Sequence, residues 1–178
     1  EWVEVAKLTS SDQSAGKGFG NAIAMEGDVI VVANAGNDYA NQGAYIFEKP
    51  VSGWTDMTET IKLNTPAPPT AANQSGFGAS VDINGPEILV GAPREDVGGT
   101  LSAGRIYVFE KSGSSWTSVF LRAELTSTNV GGADYLGQSA TFDDYIIVSG
   151  AFTGSSAGTL HVFERPVSGT WANATVED

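Results

Sequence analysis

The chain has 178 residues, 22 of them glycine and none cysteine, and 21 acidic residues outweigh nine basic ones to give a formal net charge of −12. A chain of this length buries a real core. Its lack of cysteine excludes disulfides, thiolate metal sites and Cys nucleophiles, and its acidity excludes nucleic acid and anionic membrane surfaces as partners. The single histidine, His161, leaves little room for zinc or iron, and no apolar run approaches the ~18 residues of a membrane span.

The chain opens on WVEVAKL from Trp2, an alternating run that reads as a strand. FGNAIAM from Phe19 then alternates small or apolar with polar residues, as a half-buried strand does, and DVIVVANA from Asp28 is almost continuously β-branched, as suits a strand covered on both faces. GAYIFEK from Gly43 is aromatic and β-branched, and WTDMTETIKL from Trp54 closes the set. The same order returns twice. The second copy reads FGASVDI from Phe77, PEILVGAP from Pro86, GRIYVFEK from Gly104 and WTSVFLRAEL from Trp116. The third reads LGQSATF from Leu136, DYIIVSGA from Asp144, GTLHVFER from Gly158, and a last run from Trp171. No stretch has helical periodicity with caps at both ends, so the expected class is all-β, with Phe19, Phe77, Leu136, Phe47, Phe109 and Phe163 buried.

Four strands per ~50–60 residues, repeated, is the pattern of propeller blades, each of which needs a neighbour to cover its faces. Phe77-Gly78 followed by Gly91-Ala92-Pro93 resembles the FG-GAP repeat, the blade motif of the integrin α-subunit propeller and of many secreted propellers. The first copy keeps Phe19-Gly20 but has Ala33-Asn34-Ala35; the third has Leu136-Gly137 and Ser149-Gly150-Ala151. The expected organisation is an outer strand of a preceding blade at 1–8, then blades at 9–62, 63–124 and 125–178. Three blades do not make an ordinary ring. The chain therefore reads either as part of a larger propeller or as a unit completed by another chain, with residues 2–8 pairing in trans and filament assembly as one consequence.

The chemical motifs mostly dissolve in this context. Many FG-GAP blades carry an Asp-rich calcium loop, but here only Asp82-Ile83-Asn84-Gly85, Glu26-Gly27-Asp28 and Asp143-Asp144 stand in the turns between first and second strands. These read as turn residues; Asp82 and Asn84 are weak calcium candidates, and otherwise no metal or cofactor is expected. Gly154-Ser155-Ser156-Ala157-Gly158 matches a nucleophile elbow in letters, yet it joins two strands and no helix follows. His161 shares a column with Tyr45 and Tyr107, so its expected role is structural and no catalytic centre is expected. Asn73 and Asn173 head N-glycosylation sequons.

Comparison of the copies locates the function. Connections between third and fourth strands are near duplicates, EKPVSG and ERPVSG, whereas second-to-third and fourth-to-first connections differ. In a propeller the two variable sets emerge on one face, where binding specificity resides. Ligand-binding candidates there are Asn37, Asp38, Tyr39, Asn41, Glu95, Asp96, Asp134 and Tyr135. The resemblance implies an extracellular or cell-surface, non-enzymatic interaction module, adhesive or structural. The alternatives are a carbohydrate-binding propeller lectin and a subunit of a filament assembled by strand exchange. The expected partner is a protein surface or glycan at the variable-loop face, with self-association through residues 2–8.

Overall fold

A computed structural model describes residues 1–12, 18–36, 42–66, 75–127, 133–152, 158–166, 171 and 175–177. Among them every regular element is a strand and three four-stranded antiparallel sheets form, one per repeat. The first sheet has β2 (Ala22–Glu26), β3 (Val29–Asn34), β4 (Gly43–Glu48) and β6 (Ile61–Leu63). The second has β7 (Val81–Asn84), β8 (Glu87–Ala92), β9 (Arg105–Lys111) and β10 (Val119–Leu125). The third has β11 (Ser139–Phe142), β12 (Ile146–Ala151), β13 (Thr159–Glu164) and β14 (Thr175–Glu177). Each runs in simple sequence order, the meander of a propeller blade.

The sheets stack face to face. Val31, Ala33, Ala44, Ile46 and Leu63 of the first blade pack on Phe77, Val81, Ile83, Phe109 and Trp116 of the second. Leu89, Ile106, Val108, Ala123 and Leu125 on the second blade's far face meet Leu136, Phe142, Ile147, Phe163 and Trp171 of the third. The continuous apolar run of β8 follows from this, since that strand lies between two blades and is covered on both sides. At ~25 cal/mol per Å² of apolar surface, these joints are the main source of stability.

The ladders explain why Phe-Gly and Gly-Ala recur together. The Gly137 backbone (φ 91°) runs against the second blade, so that a methyl there would stand 2.7 Å from the Arg105 carbonyl oxygen and 3.1 Å from the Gly91 Cα. Gly78 (φ 97°) meets the first blade in the same way, 3.0 Å from the Gly43 carbonyl and 3.3 Å from the Ala33 methyl. A methyl on Gly91 would collide with the Gly137 carbonyl. The motif is thus two halves of one contact, each half supplied by a different blade.

Several expectations are corrected. Phe77, Leu136, Phe47, Phe109 and Phe163 are buried, but Phe19 is only half-buried, because no blade covers the face it shares with Ile30 and Trp54. The fourth strands do not begin at tryptophan: Trp116 precedes β10, and Trp171 lies ahead of β14. These two indoles instead pack, fully buried, into the joints behind them, where Lys111 and Arg165 lie over their rings at 5.4 and 4.3 Å. The run from Trp2 is not a seven-residue strand within this chain. Only β1 (Leu8–Thr9) is ordered as one, pairing parallel with β5 (Met57–Thr58), while Trp2, Val3 and Val5 stand in solvent.

The third repeat is also out of register with its apparent alignment. Gly150 pairs with Leu160 as Gly91 pairs with Ile106, and the Tyr145 carbonyl accepts from Arg165 as that of Pro86 accepts from Lys111. The counterpart of Gly91-Ala92-Pro93 is therefore Gly150-Ala151-Phe152, not Ser149-Gly150-Ala151.

Candidate ligand-binding face

Antiparallel meanders put the second-to-third and fourth-to-first connections at the same end of each blade, and the structure interlocks them between neighbours. The Tyr135 and Leu136 N–H groups donate to the Ser102 and Ala103 carbonyls, and Ala133 N–H donates to Leu101. Gly104 and Leu136 form a parallel bridge across this joint. At the preceding joint the Ser75 hydroxyl donates to the buried Gln42 amide oxygen at 2.9 Å. Described residues of the variable connections thus touch across both joints.

The predicted acidic residues separate into different roles there. Glu95 is buried: its carboxylate accepts the Tyr107 hydroxyl at 2.6 Å and pairs with Arg105 Nε at 2.6 Å. Burial raises the Glu95 pKa against the opposing pull of Tyr107 and Arg105, and burial together with the Glu95 bond pushes the Tyr107 phenol well above its ordinary range. Arg105 also pairs with Glu124. Glu95 therefore braces the loop from within. In the first blade the equivalent phenol, Tyr45, donates instead to Asp12 at 3.1 Å, and Lys62 holds the same carboxylate at 2.7 Å. Asp96 accepts the Ser102 N–H at 2.9 Å and closes the turn. Asp134 and Tyr135 are half-buried at the interlock. Asn37, Asp38, Tyr39 and Asn41 lie outside the described residues, as do Asn73, Asn173 and Ser156.

Tyr135 lines a cleft of about 260 Å³ with Arg94, Gln138 and Phe152. A smaller one of about 140 Å³ adjoins it, sharing Arg94 and Gln138 and reaching Asn21, Ala79 and Pro93. Asn21, Ala79 and Gln138 each follow the Phe-Gly or Leu-Gly pair of their blade, and Ala35, Pro93 and Phe152 close the Gly-Ala-Pro position. The clefts therefore run along the inner strands, from one blade's motif to the next. Phe152 stands 65 % exposed at the rim. Among the described non-glycine residues, only Ser102 (φ 50°), Ala133 (φ 63°) and Tyr135 (φ 55°) have left-handed backbones, and all three belong to this interlock. Such conformations cost ~1–3 kcal/mol each and persist where surrounding contacts hold them. Gln138 and Phe152 were missed because the copies differ there. Alignment by repeat was the available signal, and the one-residue slip hid Phe152.

The calcium candidates are occupied by protein groups. Asp82 accepts Thr141 Oγ1 at 2.5 Å and the Phe142 N–H at 3.0 Å, and Asn84 donates to Asp144 at 2.8 Å. Both residues therefore tie the second blade to the third. Glu26, one repeat before Asn84, accepts the Gly85 N–H at 2.6 Å across the first joint. Asp143 accepts the N–H groups of Tyr145 and Ile146 at 2.8 Å, which hold its pKa below the usual carboxylate range. No cluster of three or more His, Asp or Glu side chains suited to a metal occurs among the described residues. His161 sits opposite Ser149 in the register that Tyr45 and Tyr107 occupy, with its ring Nε2 3.3 Å from the Thr159 hydroxyl.

No helix among the described residues is long and apolar enough to cross a membrane. No curated protein matches the chain. The FG-GAP repeat profile matches residues 2–47 and 67–109, which together make half of the sequence. Each match runs through the Phe-Gly and Gly-Ala positions whose contact joins one blade to the next, and the chain belongs to the FG-GAP repeat family.

Proposed function

We propose that this chain is a non-enzymatic recognition module of the cell surface or extracellular space, which binds its partner on the variable-loop face at the joint of the second and third blades. One observation carries the reading: the three left-handed non-glycine residues converge where Arg94, Tyr135, Gln138 and Phe152 line a cleft. Concave sites lined by aromatic side chains and a few directed polar groups are where ligands bind, and backbone strain concentrates at such places. Family membership supports an interaction role over a catalytic one.

Glycan is the second reading, favoured by the pairing of two aromatic rings, Tyr135 and Phe152, with the amide and guanidinium donors of Gln138 and Arg94. Sugars present apolar faces rimmed by hydroxyls, and this set complements both. The test is a paired screen on glycan and extracellular-matrix protein arrays, with and without calcium, comparing the wild type with an Arg94→Ala, Phe152→Ala double variant. Signals lost in the variant support the site, and the array that carries them separates the two readings. Signals retained in full by the variant refute it.

A further inference from the structure

One tyrosine occupies a position that the first two repeats give to glycine. In each repeat the residue before the Phe-Gly or Leu-Gly pair opens the same tight turn. Its carbonyl accepts the N–H of the residue three places on: Gly18 from Asn21 at 3.0 Å, Gly76 from Ala79 at 2.9 Å and Tyr135 from Gln138 at 3.1 Å. The backbone is left-handed at all three, with φ of 70°, 68° and 55°. Glycine reaches that region without penalty, whereas an L side chain crowds its own backbone there. Room for a side chain is not the difference, because among the described residues a methyl on Gly18 or Gly76 would meet nothing nearer than 3.4 Å. The third blade therefore accepts a backbone cost that the other two avoid, and the consequence is one aromatic ring at the joint of the second and third blades.

That ring lines the cleft with Arg94, Gln138 and Phe152. Arg94 is the one charged side chain among the described residues lining this cleft and the smaller one beside it. Of the acids on this face, Asp12 is engaged by Tyr45 and Lys62, Glu95 by Tyr107 and Arg105, and Asp96 by the Ser102 N–H. An apolar rim adjoins the cleft. The Ala133 and Tyr135 N–H groups donate to the Leu101 and Ser102 carbonyls, and the Leu101 side chain, on a loop of the middle blade, is 71 % exposed. Tyrosine and arginine in a concave centre, beside exposed apolar side chains, have the composition of a protein-binding hot spot.

We propose that the cleft receives an acidic side chain of a protein partner: its carboxylate pairs with Arg94 and accepts from the Gln138 amide, while an apolar residue next to it covers Tyr135 and Leu101. The inference rests on the reading of this cleft as a binding site and adds the chemistry recognised there. Guanidinium and carboxylate form a charge-assisted pair, which strengthens in a concavity from which the partner displaces water. The chain's net charge of −12 repels a polyanion, so the carboxylate belongs to an isolated Asp or Glu and not to an acidic run or an acidic polysaccharide. Tyr135 is the specificity-determining contact, held in a glycine conformation for the sake of its ring.

The experiment titrates short peptides that pair Leu or Phe with Asp or Glu, and their Asn and Gln counterparts, against the whole chain and two variants, Arg94→Gln and Tyr135→Gly. Fluorescence anisotropy reads binding, and thermal unfolding reads stability. The wild type is expected to prefer the acidic peptides by about tenfold. Arg94→Gln is expected to level acid and amide. Tyr135→Gly is expected to weaken both by about tenfold, with a melting temperature no lower than that of the wild type, because glycine already serves this turn in two blades. A structural role for the ring would instead lower the melting temperature. That drop, a wild type that binds acid and amide alike, or an acid preference that survives Arg94→Gln would overturn the proposal. So would an array partner that the Arg94→Ala, Phe152→Ala double variant loses and Arg94→Gln retains, an outcome that leaves the binding site in place and removes only its acidic ligand. Binding confined to glycans on those arrays would overturn it too.

Discussion

The Glu87 carboxylate of the second blade accepts the indole N–H of Trp171 from the third at 3.1 Å, and Arg165 closes on the same oxygen. All of this is sequestered: Glu87 is 7 % exposed and Trp171 not at all. Trp171 is thus a key that seats the third blade on the second, with a polar catch at its tip. At the first joint Trp116 has a related catch, since Glu48 accepts the Ser115 hydroxyl at 2.7 Å and the Trp116 backbone N–H at 3.3 Å.

Trp171→Phe keeps most of the apolar contact but strands one side of a buried carboxylate. A loss of about 1–3 kcal/mol in urea unfolding is expected. Trp171→Ala also opens a cavity, and is expected to cost about 3–5 kcal/mol. Equal losses for the two variants would show that the catch, not the ring, carries the joint.

Gly91→Ala and Gly150→Ala form a matched pair at equivalent positions, neither with a left-handed backbone. In the single chain the first drives a methyl into the Gly137 backbone, and the second meets the Ser139 hydroxyl, which can rotate away. Overpacking of this kind costs about 1–3 kcal/mol, so Gly91→Ala is expected to lower the melting temperature clearly more than Gly150→Ala. Indistinguishable shifts would contradict the close approach of the two blades.

Glu95 gives a pH signature. Its pKa is raised on folding by burial, so its contribution to stability is fully present below the unfolded value. It declines as pH rises through the folded value, because the unfolded chain has by then released a proton that the folded chain retains. Glu95→Gln removes that titration. The stability of the wild type relative to Glu95→Gln is therefore expected to fall as pH rises above the ordinary glutamate range. A difference that stays flat or grows with pH would be inconsistent with a burial-dominated carboxylate.

Asp82 already accepts two bonds from the third blade, and added calcium must compete with them. Thermal unfolding is expected to be unchanged by millimolar calcium and lowered by Asp82→Ala, by about 1 kcal/mol equivalent. A calcium-dependent rise in melting temperature that Asp82→Ala abolishes would restore Asp82 as a metal ligand.

Strand type, strand order and the repeat were legible in the sequence because they depend on local patterning: alternation in β2, β7 and β11, and unbroken Ile, Val and Leu in β3 and β8. The family was legible for the same reason, since Phe-Gly and Gly-Ala mark places where a side chain does not fit. What the tertiary structure decided is which copy of each position has a neighbour. Phe19 and Phe77 have the same letter and strand position, yet only Phe77 is fully buried, because only it has a blade in front. Nor could the register of the third copy be read from letters. Asp143-Asp144-Tyr145 and Asn84-Gly85-Pro86 both satisfy turn chemistry, and a shift of one residue reverses which side chains face which blade. The ladder from Tyr145 to Arg165 set that choice and brought Phe152, rather than Ala151, to the cleft. Glu95 and Asp96 are adjacent acids in a variable loop, and only folding separated them: Arg105 and Tyr107 bury one carboxylate, while a backbone N–H engages the other.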